Sequence, residues 1–475
     1  MEMMKQVSGV LKNMLARVRN EKVRYNILQA IPFWIASVIT GLIAVLYAKL
    51  FAQTENLYNY ILQLNTWWIL VLAPVTFVLA YFLVDKFARY ARGSGIPQVM
   101  TALELPSTAS DQKLTKLVGI RVMLVKISSS LLMILGGAVI GREGPTIQVA
   151  SSIFKKVNQW IPDSWPKISK RTMIMTGAAA GLAAAFNTPL GGIVFAVEEL
   201  TNTHIRYYRT AIFSAVIISG LTAQGLLGPY LYLGYPNVSN LSVYIFSGVL
   251  LVAVITGILG SLMCLIMLRI LKWKKNFTTG QNYLYVIAAA LIIALFAFIN
   301  HEAAGSGKEL MNGLLFNTNK YQHWYMPLIR IAGSVTSFTT GAAGGVFAPA
   351  LASGASIGAL ISQELHLTIT DTNLLILAGM VGFLTGVTRT PFTSAILVLE
   401  MTDRHSVIFY LMLAGMVASM VAILVDKHSF YDHLKHQYTA ALDEEDAKAE
   451  AADRLTPETI PVVDAPHDSA NNTNK

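Results

Sequence analysis

Five long apolar runs, at residues 31–51, 67–84, 211–227, 243–271 and 285–298, dominate this chain. Each approaches or exceeds the roughly 20 residues that a helix needs to cross the hydrocarbon of a bilayer. Backbone in lipid must satisfy its own N–H and C=O groups, and a single apolar run does so only as a helix. An all-α integral membrane protein follows, with several crossings. Composition agrees: 13% of the 475 residues are charged, against about 25% in soluble domains, too few for a surface facing water.

The formal net charge of +9 is unevenly placed. Lys5, Lys12, Arg17, Arg19, Lys22 and Arg24 precede the first run, against Glu2 and Glu21. The positive-inside tendency puts this segment in the cytoplasm, so topology accounts for the charges without a nucleic-acid partner. The basic stretch and the run after it are too long for a cleavable signal peptide. Cys264 is the single cysteine, which excludes an intramolecular disulfide and most cysteine-based metal sites. Beyond residue 437 the apolar pattern stops. Residues 438–475 carry Asp443-Glu444-Glu445-Asp446 and scattered prolines, and this polar composition predicts a disordered cytoplasmic tail. The expected organisation is a basic segment over 1–26, a membrane domain over 27–437 and that tail, with both termini cytoplasmic.

Between the long runs lie shorter apolar segments broken by glycine and proline, at 93–105, 131–140, 146–154, 173–186, 190–200, 346–361, 374–387 and 392–401. Helices that stop inside the bilayer leave unpaired backbone groups, so such ends must be buried in protein or line an aqueous cavity. The segments also repeat. Gly93-Ser94-Gly95 recurs as Gly305-Ser306-Gly307, the G-x-x-x-P of Gly141 and Pro145 as Gly345 and Pro349, and Gly177, Thr188-Pro189 and Glu198 as Gly379, Thr390-Pro391 and Glu400. Ordered anchors at a nearly constant spacing of roughly 200 residues indicate a duplicated membrane unit, one copy over about 27–228 and the other over about 240–437. Paired broken helices in two such repeats point to a transport site at their interface.

Gly93-Ser94-Gly95-Ile96-Pro97, Gly141-Arg142-Glu143-Gly144-Pro145 and Gly345-Val346-Phe347-Ala348-Pro349 share one design. Glycine lets backbone approach an ion closely, and proline suits the first turn of a helix. A helix start offers free N–H groups and about half a positive charge. That is enough to replace the hydration of a small anion without holding it as tightly as lysine or arginine would.

These three strings resemble, in order, the selectivity-filter segments of the CLC family of chloride channels and chloride/proton antiporters. The run from Gly177 to Leu190 and Leu399-Glu400-Met401-Thr402-Asp403 are similar to its helix segments, and the likeness extends over about 27–437. The resemblance implies a CLC-type fold of two inverted repeats with many short, broken and tilted helices, forming a homodimer with one pore per subunit. Carried over position by position, it implies chloride bound by the Ser94 hydroxyl, the backbone N–H groups of Val346 and Phe347 with Ala348 nearby, and the Tyr431 phenol. By residue type alone Ser94 reads as a helix cap and Tyr431 as an interfacial anchor; the filter strings favour the ion-binding roles.

Glu143 is the acidic residue within the three strings. A carboxylate at a helix start is drawn to the same positive end that attracts chloride, so it can fill an anion site when ionised and leave it when protonated. That makes it a gate and an external proton carrier, the alternative being a salt bridge to Arg142. Glu198 and Glu199 close an apolar segment and, about 100° apart on a helix, face different surroundings. The repeat pairs Glu198 with Glu400, a shared structural task, while Glu199 aligns with Met401 and stands alone. The resemblance places the internal proton-transfer acid on Glu199.

The likeness implies a secondary active transporter exchanging chloride for protons in a bacterial inner (plasma) membrane; an uncoupled voltage- or pH-gated chloride channel is the alternative, disfavoured by Glu199. Ala343 stands where many relatives have proline and Val346 where isoleucine is common, and neither removes a needed N–H. The regulatory nucleotide-binding domains of many eukaryotic relatives are not expected here, nor is control by ATP of that kind. Ser94 argues against a nitrate-preferring plant type, and the filter strings against the fluoride branch. Enzymatic function is not expected. Gly93-Ser94-Gly95 lacks the third glycine and strand context of a dinucleotide fingerprint, and the histidines form no helix-spaced metal pair in an apolar region. A purely structural membrane protein would have no use for broken helices converging on glycine strings. Chloride, protons and the lipid bilayer are the expected partners, with no cofactor, metal or obligate protein partner.

Overall fold

A computed structural model describes residues 20–106, 111–200, 209–228 and 231–455. Most of the basic N-terminal segment and the last part of the polar tail lie outside these residues. In repeat one the helices are α1 (Glu21–Leu64), α2 (Ile69–Phe87), α3 (Ile96–Glu104), α4 (Asp111–Leu117), α5 (Ile120–Leu135), α6 (Glu143–Trp160), α7 (Lys170–Phe186), α8 (Pro189–Phe195) and α9 (Arg209–Leu227). In repeat two they are α10 (Ile245–Lys274), α11 (Thr279–Ile299), α12 (Lys308–Phe316), α13 (Met326–Thr339), α14 (Phe347–Glu364), α15 (Ile369–Thr388), α16 (Pro391–Thr402) and α17 (Ile408–Val425), followed by α18 (Phe430–Leu455). Strand structure among the described residues is limited to two isolated bridges. The fold is all-α, with two halves that repeat the same pattern of helices.

The helix limits follow local chemistry. Asn20 caps α1 through the amides of Lys22 and Val23, and the helix carries on through Pro32 to Asn65, whose side chain turns to accept from Trp67. The 44 residues of α1 therefore run roughly 66 Å, more than twice the hydrocarbon thickness. Thr278 and Gln281 form a reciprocal capping box at α11. Pro189 and Pro391 open α8 and α16, where a missing N–H costs nothing.

Among the described residues, 8 helices are long and apolar enough to cross a membrane. Spans over Asp111–Leu135, Ile369–Thr388 and His405–Val425 go beyond the five runs seen in the sequence. The segment at 374–387, expected to be too short, belongs to the 20-residue α15. Its glycines and threonines dilute the apolar signal because 89% of its window is buried in protein and not in lipid.

The two repeats clasp each other reciprocally. Gly141 and Gly345 exchange both N–H···O bonds at 2.8 Å. Ser129 Oγ accepts from the Ala343 amide at 3.1 Å, and Ser337 Oγ accepts from the Val139 amide at 2.9 Å. The carboxylate of Glu198 accepts from Phe392 and Thr393 at the start of α16, while Glu400 accepts from Leu190 and Gly191 at the start of α8. Each contact and its converse are what a two-fold relation between duplicated units produces.

The expectation of disorder from Tyr438 onward is corrected for residues 438–455, which continue α18. Tyr438 packs 6.1 Å from Tyr90, and Glu445 takes bonds from Tyr90 Oη and Lys116 Nζ. An ion pair joins Lys113 to Asp446. Part of the acidic run that reads as a solvated tail, Glu445 and Asp446, is thus set on a helix against Lys116 and Lys113 of α4.

Candidate functional site

Three helices begin deep inside the protein. Ile96, Glu143 and Phe347, the first residues of α3, α6 and α14, are all buried. At each start the capping residue makes no side-chain bond to the first-turn amides: Gly95 before α3, Arg142 before α6 and Val346 before α14. Gly95 adopts φ +105° there, a conformation that favours glycine. Buried helix starts without side-chain caps call for other acceptors, and their partial positive charges make those acceptors anionic.

Backbone bonds hold the three strings in register. Gly93 donates to Ala342 O at 2.9 Å and accepts from the Gly344 amide at 3.1 Å, while the Gly141–Gly345 pair ties the other two strings together. Lys126, fully buried in α5, donates through Nζ to Gly93 O at 2.8 Å. In the second repeat Arg330 of α13, also fully buried, donates to the carbonyls of Ala303, Ala304 and Gly305. The sequence reading passed over both cations. An ionisable residue inside an apolar segment of each repeat was the available signal.

Beside these helix starts lie Ser94, before α3, and Tyr431, in the first turn of α18. Ser94 Oγ and Tyr431 Oη are buried and have no hydrogen-bond partner at bonding geometry, and the two hydroxyls face each other. A Cβ on Gly144 would run into Ser94 Oγ, so glycine in the second string makes room for the serine of the first. The Phe347 ring lies 6.2 Å from Tyr431 and stacks at 6.4 Å on Phe186. Ile96 and Pro97 form the first turn of α3, and Pro145 and Pro349 the first turns of α6 and α14. Two opposed hydroxyls beside helix N-termini can donate to one small anion.

Glu143 sits at the start of α6 with its carboxylate against Gly141 and Ala348. A Cβ on Gly141 would collide with Glu143 Oε2 and reach 3.2 Å from Ala348 N. The backbone amides of Ala348 and of Glu143 itself face the carboxylate, and Tyr232 Oη donates to Oε1 at 3.4 Å. The acid therefore lies where amides of α6 and α14 converge. Tyr232 comes from the connector between the repeats and was not foreseen, since neither periodicity nor repeat alignment reaches it.

Glu198 and Glu199 lie in a wide π turn, Ala196–Leu200, at the end of α8. Glu198 is engaged by α16, as described. Glu199 points elsewhere: Asp432 and Lys435 of α18 are among its charged neighbours, and its Oε1 is buried without a partner. The inserted residue of a π turn parts adjacent side chains, and such turns are frequent at functional sites. The predicted residues thus form one string of groups, from Glu143 past Phe347 to Ser94 and Tyr431, with Glu199 beyond the start of α18.

Known proteins share this architecture. The sequence profile described as voltage gated chloride channel matches residues 76–423. The H(+)/Cl(-) exchange transporter ClcA of Citrobacter koseri is 30% identical over 436 residues, covering 87% of this chain and 89% of the relative. The protein of the same name from Salmonella arizonae is 29% identical over 444 residues, covering 89% and 90%. A crystal structure of a slow cyanobacterial Cl-/H+ antiporter superposes with TM-score 0.76 at 23% identity, covering 87% of this chain and 98% of its own. A CLC-type fluoride/proton antiporter superposes with TM-score 0.69 at 20% identity, covering 86% and 98%. On the profile match, the relatives and the fold together, this chain belongs to the CLC, or voltage gated chloride channel, family of membrane transport proteins.

Proposed function

We propose that this protein is a secondary active transporter that exchanges chloride for protons across a bacterial inner membrane, as a homodimer with both termini cytoplasmic. One observation carries the reading: a buried glutamate at a helix start, Glu143, sits against the amide of a second buried helix start, Ala348. Helix N-termini attract anions, so an ionised Glu143 and a chloride ion compete for the same amides. Protonation removes the charge that holds the side chain there, the acid swings out with its proton, and chloride takes its place. Ser94, Tyr431 and the amides of Val346 and Phe347 hold the ion at the next position inward. Their partial charges offset its desolvation while still permitting release.

The proton needs a second titratable group, because Glu143 serves only the outer end. Two observations support Glu199 as that group: its Oε1 is buried without a partner, and it lies in a π turn beside Glu198. An uncoupled chloride channel would keep the filter and Glu143 but give Glu199 no task. The deciding experiment records chloride and proton flux together from purified protein in liposomes. A chloride gradient should drive protons uphill; chloride movement without proton movement would establish the channel instead.

A further inference from the structure

Tyr232 stands in the connector between the repeats, and its position is over-determined. The ring is buried and packs edge-on, 5.2 Å from Phe186 of α7. The next residue, Leu233, donates its amide to Met401 O of α16 at 3.1 Å. Above the ring, 4.7 Å from its centroid, lies the ammonium of Lys308. The hydroxyl at the far end of the ring reaches Glu143 Oε1 at 3.4 Å. A connector residue is thus clamped by both repeats and aimed at the acid between them.

Lys308 is where the duplication breaks. It is the first residue of α12, after Gly305-Ser306-Gly307, and its counterpart after Gly93-Ser94-Gly95 is the buried, apolar Ile96. Other groups bear on Glu143 as well. Arg142 and Lys308 are its cationic neighbours, Glu55 of α1 lies near Lys308, and Tyr47 and Tyr431 are within electrostatic range. Of these side chains, Tyr232 is the one within hydrogen-bonding distance of the carboxylate. A cation over a phenol ring withdraws electron density and makes the hydroxyl a better donor, and a donor to a carboxylate favours its ionised form.

We propose that Tyr232 is a catch for the gate: its hydroxyl holds ionised Glu143 in the ion path, and Lys308 strengthens that hold through the ring. The inference rests on reading Glu143 as the gate and adds a positioning residue to it. Because the bond is made to the ionised acid, the catch works where Glu143 is charged and idles where it is protonated.

Tyr232→Phe keeps the ring packing and removes the donor. In liposomes, its chloride turnover should rise about three- to tenfold at neutral and alkaline pH, the range expected for losing one long hydrogen bond of ordinary net strength. It should converge on the unsubstituted protein at acid pH, so that the acid-activated limb of the pH profile moves to higher pH. Lys308→Met should move the profile the same way by less. In a Glu143→Ala background, Tyr232→Phe should change nothing. An unchanged pH profile in Tyr232→Phe, or an equal rate change with and without Glu143, would overturn the catch. Proton coupling that survives in Glu143→Ala alone would instead overturn the gate reading, and the two failures are told apart by that single variant.

Discussion

Glu143 and Glu199 are chemically alike, and the tasks proposed for them rest on their different surroundings. Glu143→Ala should leave chloride flux and abolish proton uptake driven by a chloride gradient. Gly141→Ala tests the same cradle without touching the acid, because the added Cβ would collide with Glu143 Oε2. With the carboxylate expelled from the amides, the pH dependence of chloride flux should flatten in Gly141→Ala. A profile identical to the unsubstituted protein would show that the carboxylate does not need that position. For the adjacent pair, Glu199→Gln should stop proton movement while chloride still flows. Glu198→Gln should keep coupling but weaken the fold, since an amide NH2 would face the N–H donors of Phe392 and Thr393. Flux measurements giving the reverse pattern would mean the two roles are exchanged. Residue identity made these acids candidates; the π turn decided which way each one points.

Helix ends carry the proposed ion-binding chemistry at the scale of elements. The starts of α3 and α18 contribute Ser94 and Tyr431, separated by more than 300 residues of chain but facing each other in the fold. Ser94→Pro and Tyr431→Ala each remove a donor, and a lost hydrogen bond to a charged partner corresponds to about a tenfold weaker affinity. Isothermal calorimetry of chloride binding should register that loss in both variants, and Ser94→Pro should in addition raise nitrate preference by reshaping the turn. Affinities equal to the unsubstituted protein would show that these hydroxyls do not contact the ion. The glycine strings announced the helix starts in sequence. Tyr431 had no such announcement, because the motif around it is short and its position depends on where α18 docks.

Over the whole molecule, the duplication supplies reciprocal contacts that hold the two halves together. Glu198 and Glu400 each bridge to the opposite repeat through two backbone amides. Charge-assisted bonds of this kind contribute about 1.5–3 kcal/mol. Glu198→Gln and Glu400→Gln should therefore lower the thermal unfolding midpoint in detergent by similar amounts, as expected for equivalent positions. A large loss in one and none in the other would mean that the two clasps are not equivalent. Breaking the α18 ion pairs at Lys113 and Lys116 should matter far less, since exposed pairs contribute about 0–1 kcal/mol.

The sequence by itself determined the class of the molecule. Span-length apolar runs leave only helices in lipid, and the ordered anchors exposed the duplication and the three buried helix starts, because glycine and proline are favoured locally where a helix begins. Tertiary structure alone decided the rest. The full span length of the buried α15 and the ordered start of the tail are not legible in the sequence because their stability comes from packing against other helices, which local hydropathy does not record. Lys126, Arg330 and Tyr232 gain their meaning from carbonyls and a carboxylate brought near by the fold. A contact between residues distant in sequence leaves no periodicity along the chain, so only the folded arrangement reveals it.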